Sequence, residues 1–384
     1  MNPSTDLQAR LQTVRSHYRV TPWLQPREDE SPLLRSWQRC RDAGMREHER
    51  INFELVSRAM LAELDDVYGG LVRAARPETE RLAHAVRGSG CVVLMFNTRG
   101  VVIDRLCHEA ATSATLLGTS RVGINVAERC VGTTAPAISI AEGLPYLVGR
   151  DAHYFDNLRP FFCAAAPIDS PSGERLGAVD VSAYDCVPSF DIYSLVIDAA
   201  AAIENSLFKP SADRVLVHFH PRAELLNTAL EGLLEVGSDG RVYGANRMAA
   251  RLLCLPRTAL MGRAFSSLFD RRPQALFGRA CSPGPRADQV ELQTHVGLQV
   301  LACFEDESRR DLGGIGRALA TAPGAPVGPA SALPAAPTAP VNMRDMERQV
   351  IAQTLADLDG NVSAAARQLG ISRNTIYRRR GGLE

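Results

Sequence analysis

From Ala318 to Met343 the chain runs for 26 residues without one charged side chain, and nine of these are Ala and six are Pro. A segment so composed has too few large apolar groups to offset the entropy of ordering it, and its prolines favour extended backbone, so it reads as a tether. Its reach is about 25 Å as a coil and up to about 80 Å as an extended polyproline strand. The 384-residue chain is thereby divided into a large N-terminal part, long enough for more than one domain, and a small C-terminal module.

Charge and composition narrow the class. Forty-three basic residues balance 43 acidic ones, so any attraction to nucleic acid must be local. Lys209 is the only lysine, in Leu207-Phe208-Lys209-Pro210. A phosphate loop of the G-x-x-x-x-G-K-[ST] type therefore has no candidate, and a Schiff-base lysine is disfavoured. The nine cysteines are scattered with no C-x-x-C pair, which argues against a disulfide framework or a zinc site. The first residues lack an apolar signal core and no run approaches a membrane span. A cytoplasmic protein without a membrane partner is expected.

Strand and turn signals organise the large part. Cys91 to Phe96 and Val101 to Ile103 flank the hairpin signal Asn97-Thr98-Arg99-Gly100. Phe161 to Ile168 and Leu176 to Ser182 bracket Asp169-Ser170-Pro171-Ser172-Gly173, a second turn. Thr133 to Ala141 reads as helix, and Ser189 to Phe208 carries Ile192, Leu195, Val196, Ile203 and Leu207 on one helical face. Upstream, helices are expected at Leu33 to Ala43 and Phe53 to Val67. A smaller unit beginning near Pro221 shows a short helix from Leu225 to Leu230 and strands at Leu233 to Val236 and Arg241 to Tyr243. It continues with a helix opened by Asn246 and strands near Val290 to Leu292 and Leu298 to Phe304. The fold class expected is α+β, with two antiparallel-sheet domains and a tethered all-α module.

The tail carries the sharpest signal. Met346, Val350, Ile351, Leu355 and Leu358 share one helical face, and Val362, Ala365, Ala366 and Leu369 form a second stripe that Gly370 stops. Ser372 is a good N-cap for a last helix running through Arg380. Small alanines and the short joint before Ser372 suit a helix-turn-helix. Between Asn361 and Glu384 there are five arginines against one acid. Arg373, Asn374 and Thr375 are of the types that read base edges or touch phosphates, Tyr377, Arg378, Arg379 and Arg380 would mainly clamp the backbone of double-stranded DNA, and Ser372 is counted with them as DNA-binding. A solvated arginine run is the bland alternative, and the adjacent alanine stripe and turn weigh against it.

The stretch Asn361-x-x-x-Ala365-Ala366-x-x-Leu369-Gly370-Ile371-Ser372-Arg373-x-Thr375-Ile376-Tyr377-Arg378 resembles the Fis-type helix-turn-helix of bacterial enhancer-binding regulators. Where that family carries a leucine after the basic pair, this chain has Arg380 and then Gly381-Gly382. Ser36-Trp37-x-Arg39-Cys40, Gly132-Thr133-Thr134-Ala135, Asp151 to Phe155, Cys163 to Ile168 and Gly177 to Ser182 are similar to the N-terminal region of acetoin-catabolism regulators. The resemblance implies a GAF sensor domain there. The unit with Asp239-Gly240-Arg241 and Ala245-Asn246-x-Met248-Ala249 looks like a PAS domain. The plan expected is a helical segment over 1–75, a GAF-like domain over 76–210 and a PAS-like domain over 221–306. A linker over 307–342 and the helix-turn-helix over 343–384 complete it. Relatives of this plan carry a central AAA+ ATPase acting on sigma-54 RNA polymerase. Here only the uncharged linker occupies that place, so ATP-driven activation by this chain alone is not expected.

A GAF cup binds a small organic effector against a mostly apolar wall with a few polar groups. Residues of the matched segments, Cys130, Thr133, Thr134, His153, Tyr154, Phe162 and Cys163, are the candidate wall, although core packing and helix capping would use the same residue types. Cys107-His108-Glu109 and His218-Phe219-His220 are the local metal or haem candidates, and neither has a familiar ligand spacing. The two histidines fall on one face of a strand, yet their place between domains favours a solvated connector. No cofactor or metal is expected. The function expected is an effector-responsive DNA-binding regulator acting as a homodimer, with RNA polymerase or related regulators as further partners. The alternative is a modulator that hetero-oligomerises with full-length regulators. An enzyme with paired cysteines is disfavoured by their scatter.

Overall fold

The computed structural model describes residues 31–107, 113–209, 211, 213–271, 289–305 and 362. The chain separates into two units, Met1–Thr321 and Ala322–Glu384, and the division falls inside the uncharged stretch. In the tail only Val362 is described, in helical conformation. The expected helix-turn-helix, the residues expected to contact DNA (Ser372 to Thr375 and Tyr377 to Arg380) and the linker lie outside the described residues.

Helix α1, Ser31–Asp42, has Pro32 in its first turn and buries Leu33, Trp37 and Cys40, one stripe at i, i+4 and i+7. Helix α2, Arg58–Ala85, is longer and later than the stretch read from apolar spacing, because Ser57 accepts from the Met60 amide and sets its start. Its length carries it across the expected 75/76 boundary, while α1 packs into the core of the following sheet. Within the described residues, 31–75 are therefore continuous with the first sheet and its core.

Strands β1, Val92–Asn97, and β2, Val102–Leu106, form the first hairpin. Asn97 closes its turn, since its side-chain oxygen accepts from the Arg99 and Val101 amides, both at 3.0 Å. Gly100 takes φ +77° there, and a Cβ would sit 2.7 Å from the Ala127 amide nitrogen. Short helices α3, Ala114–Thr119, and α4, Glu128–Val131, lead to α5, Ala135–Glu142. Then follow β3, Tyr146–Gly149, β4, Phe161–Asp169, β5, Arg175–Tyr184, and α6, Ile192–Ser206. The strands make one antiparallel sheet in the order β2-β1-β5-β4-β3.

This sheet is covered on both faces. Val92, Leu94, Phe96, Val148, Cys163 and Ala165 face α1, α4 and α5. Val93, Met95, Phe162, Ala164, Val179 and Val181 face α2 and α6. Alternation along each strand sends successive residues into the two cores. Gly177 at the start of the Gly-Ala-Val-Asp-Val-Ser run lets β5 approach β1 closely, because a Cβ there would fall 1.9 Å from the Phe96 carbonyl oxygen.

The second sheet follows directly. Strands β6, Arg214–His220, β7, Gly232–Gly237, and β8, Val242–Ala245, precede the short helices α7, Arg247–Leu252, and α8, Arg257–Leu260. Strands β9, Val290–Gln293, and β10, Gln299–Glu305, complete the order β8-β7-β6-β10-β9. Phe219, Leu234, Val242, Ala249, Phe265 and Val300 belong to its core.

Three expectations are corrected here. The segment 225–230 is not a helix, only a 3₁₀ turn at Ala223–Leu225, and Asn227 takes a positive φ of 60° beyond it. His218-Phe219-His220 is not a solvated connector. It ends β6, the middle strand of the sheet, with Phe219 fully buried and His218 7% exposed. The second module thus begins at Arg214 rather than near Pro221.

Candidate functional site

The face of the first sheet that meets α1 and α5 is the cup of the expected sensor, and α1 packs over it as a cover. Trp37 is fully buried and donates its indole N–H to the Ala152 carbonyl at 3.0 Å. Arg39 pairs with Glu128, and its Nη1 lies 2.7 Å from Glu142 Oε1. Arg35 adds two bonds to the other Glu142 oxygen, at 2.9 and 2.6 Å. Arg35 and Arg39 hold the Glu142 carboxyl below the usual carboxylate range against the opposing effect of burial. The cover is therefore fastened to α4 and α5 by charge and seated by an aromatic anchor.

The expected wall residues divide between several environments. Thr133 is fully buried, with its hydroxyl 2.8 Å from Ser36 Oγ and 3.7 Å from Cys40 Sγ. Thr134 is the N-cap of α5 and accepts from the Ala137 amide at 3.3 Å. Burial lifts the Cys40 thiol to about 11, which leaves it protonated. His153 is fully buried, with Nδ1 3.2 Å from the Arg150 carbonyl. Tyr154 donates to the Met45 carbonyl at 2.9 Å. Cys163 lies on the cup face of β4. Phe162 does not join them, because alternation along β4 turns it to the α2 and α6 face. Cys130 is exposed on α4.

Two groups absent from that expected wall matter more. On β5, Ala178, Asp180 and Ser182 alternate with Val179 and Val181, which face α2 and α6, so the first three face the cup. Asp180 is fully buried, and burial, against the opposing Ser182 hydroxyl, pushes its carboxyl up to about 7. Ser182 Oγ lies 2.6 Å from Asp180 Oδ2 and 3.2 Å from Cys163 Sγ. The period-two pattern in Ala178 to Ala183 carries this signal, an acid on the inner face of a strand buried on both sides.

The other group lies where the two modules meet. Asp169, at the end of β4, takes Arg175 on one oxygen and both Arg247 Nη2, at 2.6 Å, and Arg257 Nη1, at 3.1 Å, on the other. Arg247 also reaches Glu204 of α6 at 3.1 Å, and Glu204 accepts from the Asp169 amide at 2.8 Å. Burial raises the Glu204 carboxyl, although Arg247 and Arg257 pull the other way. Arg257 Nη2 reaches the Ser170 carbonyl, and the Ala245 amide donates to the Pro171 carbonyl at 2.9 Å. On the other side, Arg175 Nη1 donates to the Ser139 and Ile140 carbonyls near the end of α5, at 3.0 and 2.9 Å. One buried charge cluster thereby connects the cup helix α5, the β4–β5 turn and the helices of the second module. Among the described residues no group of three or more His, Cys, Asp or Glu side chains could hold a metal, and no helix is long and apolar enough to cross a membrane.

Residues 5–205 match the model of the MimR N-terminal domain, and residues 342–381 match that of bacterial regulatory proteins of the Fis family. The acetoin catabolism regulatory protein of Cupriavidus necator is 26% identical over 255 residues, 64% of this chain and 38% of that protein. The propane 2-monooxygenase operon transcriptional activator MimR of Mycolicibacterium smegmatis is 26% identical over 198 residues, 51% of this chain and 33% of that protein. The match thus spans about a third to two fifths of the length of these curated relatives. Among solved structures, the Escherichia coli DhaR(N)–DhaL complex aligns at 16% identity with a TM-score of 0.44, covering 72% of this chain and 99% of that one.

Proposed function

Because the chain belongs to the MimR N-terminal domain family, whose model spans residues 5–205, we propose that it is a transcriptional regulator that binds DNA through its tail and answers to a small organic effector through the cup. The observation that carries this reading is the presence, in one chain, of that N-terminal domain and a Fis-family segment over 342–381. An effector that prefers one conformation of the cup shifts the equilibrium by its differential affinity. The salt bridges of α1 and the Asp169 cluster support a route for that shift, since α5 ends on Arg175 and Arg175 shares Asp169 with the second module. In the tail, Arg373, Asn374 and Thr375 read base edges or touch phosphates behind the cap Ser372, and Tyr377 to Arg380 hold the backbone. A homodimer would set two such helices about 34 Å apart on the duplex. ATP-driven sigma-54 activation is not part of this reading, because Lys209 is the sole lysine and stands in no phosphate loop.

Duplexes selected from a random pool by the full chain, measured by fluorescence anisotropy across salt concentrations, test the reading. Affinity should fall steeply with salt, and removal of everything after Val341 should abolish it. A truncated chain that holds the selected duplexes as tightly as the intact one ends the proposal. The limited span of the relatives also favours a second reading, a modulator that assembles with longer regulators. Sedimentation decides between them, because a self-sufficient homodimer on a palindromic duplex leaves no work for a longer partner.

A further inference from the structure

Asp180 sits where a sheet covered on both faces should carry an apolar side chain. Its register partners are Leu94 on β1 and Ala165 on β4, and its neighbour two residues back on the same face is Ala178. The small side chains beside it leave the acid as the dominant polar feature of the cup floor. Ser182 has one proton and two close neighbours. With that proton given to Asp180 Oδ2 at 2.6 Å, the Cys163 thiol, kept protonated by burial, is the donor in the 3.2 Å contact. The chain of donors thus runs from Cys163 through Ser182 to Asp180 and ends there. Among the described residues, Asp180 Oδ1 is buried and has no hydrogen-bond partner.

A carboxyl kept for structure is completed on both oxygens, as Asp169 is, because an unpaired buried acceptor costs about 1–3 kcal/mol. Thr133, Thr134 and Tyr154, by contrast, spend their hydroxyls on the protein itself. We propose that Asp180 is the anchor of the effector cup, and that its free oxygen accepts an O–H or N–H donor from a small, otherwise apolar ligand held against Leu94, Phe96, Val148 and Ala165. This deepens the effector reading above and rests on it. Anionic ligands are excluded by the same geometry, since a second negative group beside a buried carboxyl is disfavoured.

Isobutanol, isobutylammonium and isobutyrate share a branched carbon skeleton and differ in the polar group, so they serve as probes for the full chain in thermal-shift and calorimetric titrations. The alcohol or the ammonium should bind the wild type saturably, and isobutyrate should not. Binding by the alcohol alone marks a neutral Asp180, and binding by the ammonium alone an ionised one. Asp180→Asn and Asp180→Leu should melt no lower than the wild type without ligand, and should weaken the binding probe at least tenfold. A variant that melts several degrees lower, a probe bound equally by wild type and Asp180→Leu, or no response of the wild type to either donor overturns the anchor. If isobutyrate alone binds and changes the affinity for selected DNA, the anchor fails while the effector reading stands. If no probe binds and DNA affinity never changes with any small molecule, both fail.

Discussion

The cup floor and the joint between modules each bury an aspartate of the same β hairpin, and the two are treated in opposite ways. Asp169 meets three guanidinium groups, while Asp180 meets one hydroxyl and keeps an oxygen unused. A buried charge surrounded by partners holds parts together and is costly to break. A buried acid left incomplete stores free energy that a binding partner can release. The difference separates residues kept for architecture from residues kept for recognition, without reference to what the molecule binds.

The sharpest way to break the comparison is to remove the paired acid. Asp169→Ala strands Arg175, Arg247 and Arg257 without their shared carboxylate, and should lower stability by about 3–5 kcal/mol. Calorimetry should then show the two modules melting as separate transitions. If Asp169→Ala melts like the wild type in one transition, the cluster does not join the modules.

Asp180 should respond in the opposite sense. Its folded value of about 7 stands above the ordinary 3.8, so between about pH 4 and pH 7 the folded chain holds a proton that the unfolded chain has lost. Stability should therefore fall as pH rises through that window, by on the order of a few kcal/mol, and Asp180→Asn should remove that slope in denaturant titrations. A slope unchanged by the substitution would mean that the acid is not buried as described.

His218 provides an intermediate case in the second sheet. Burial pushes its imidazole down, but Glu231, 3.1 Å away, and Glu305, at 3.3 Å, outweigh that and hold it up to about 9. Because the folded value lies above the ordinary 6.5, the stabilisation is complete below about pH 6.5 and is lost as pH rises through about 9. His218→Gln should flatten stability over that range by about 1.5–3 kcal/mol, the range for hydrogen bonds to charged groups. The smallest effect is expected on the surface. Arg81→Ala removes the exposed pair with Glu78 and should change the melting free energy by less than about 0.5 kcal/mol.

These contrasts also explain what can be read in the residues before any fold is known. Cys91 to Phe96, Leu176 to Ser182 and the Asn97 and Gly173 turns are legible because strand propensity and turn chemistry agree locally. Strand β3 is only four residues long, and β6 ends in two histidines, so neither has a strong local pattern. Burial of β6 is decided by β7 and β10, far away in the chain. The candidate wall is legible as residue types, but Phe162 and Cys163 are adjacent and face opposite cores, which only the register of β4 determines. Arg175 is only six residues from Asp169, but Arg247 and Arg257 lie 78 and 88 residues away in sequence, beyond any local signal.

The order of strands has its own consequence for synthesis. In the first sheet the middle strand, β5, is the last to be made, so the nascent domain cannot close until its hairpin with β4 has left the ribosome. The second sheet has its middle strand, β6, first, and that strand can be extended outward by β7 and β8 as they appear. One module assembles by insertion at the end and its neighbour by accretion from the beginning. A second module cut to begin at residue 221 would therefore lose its first and middle strand, the one on which the others are laid.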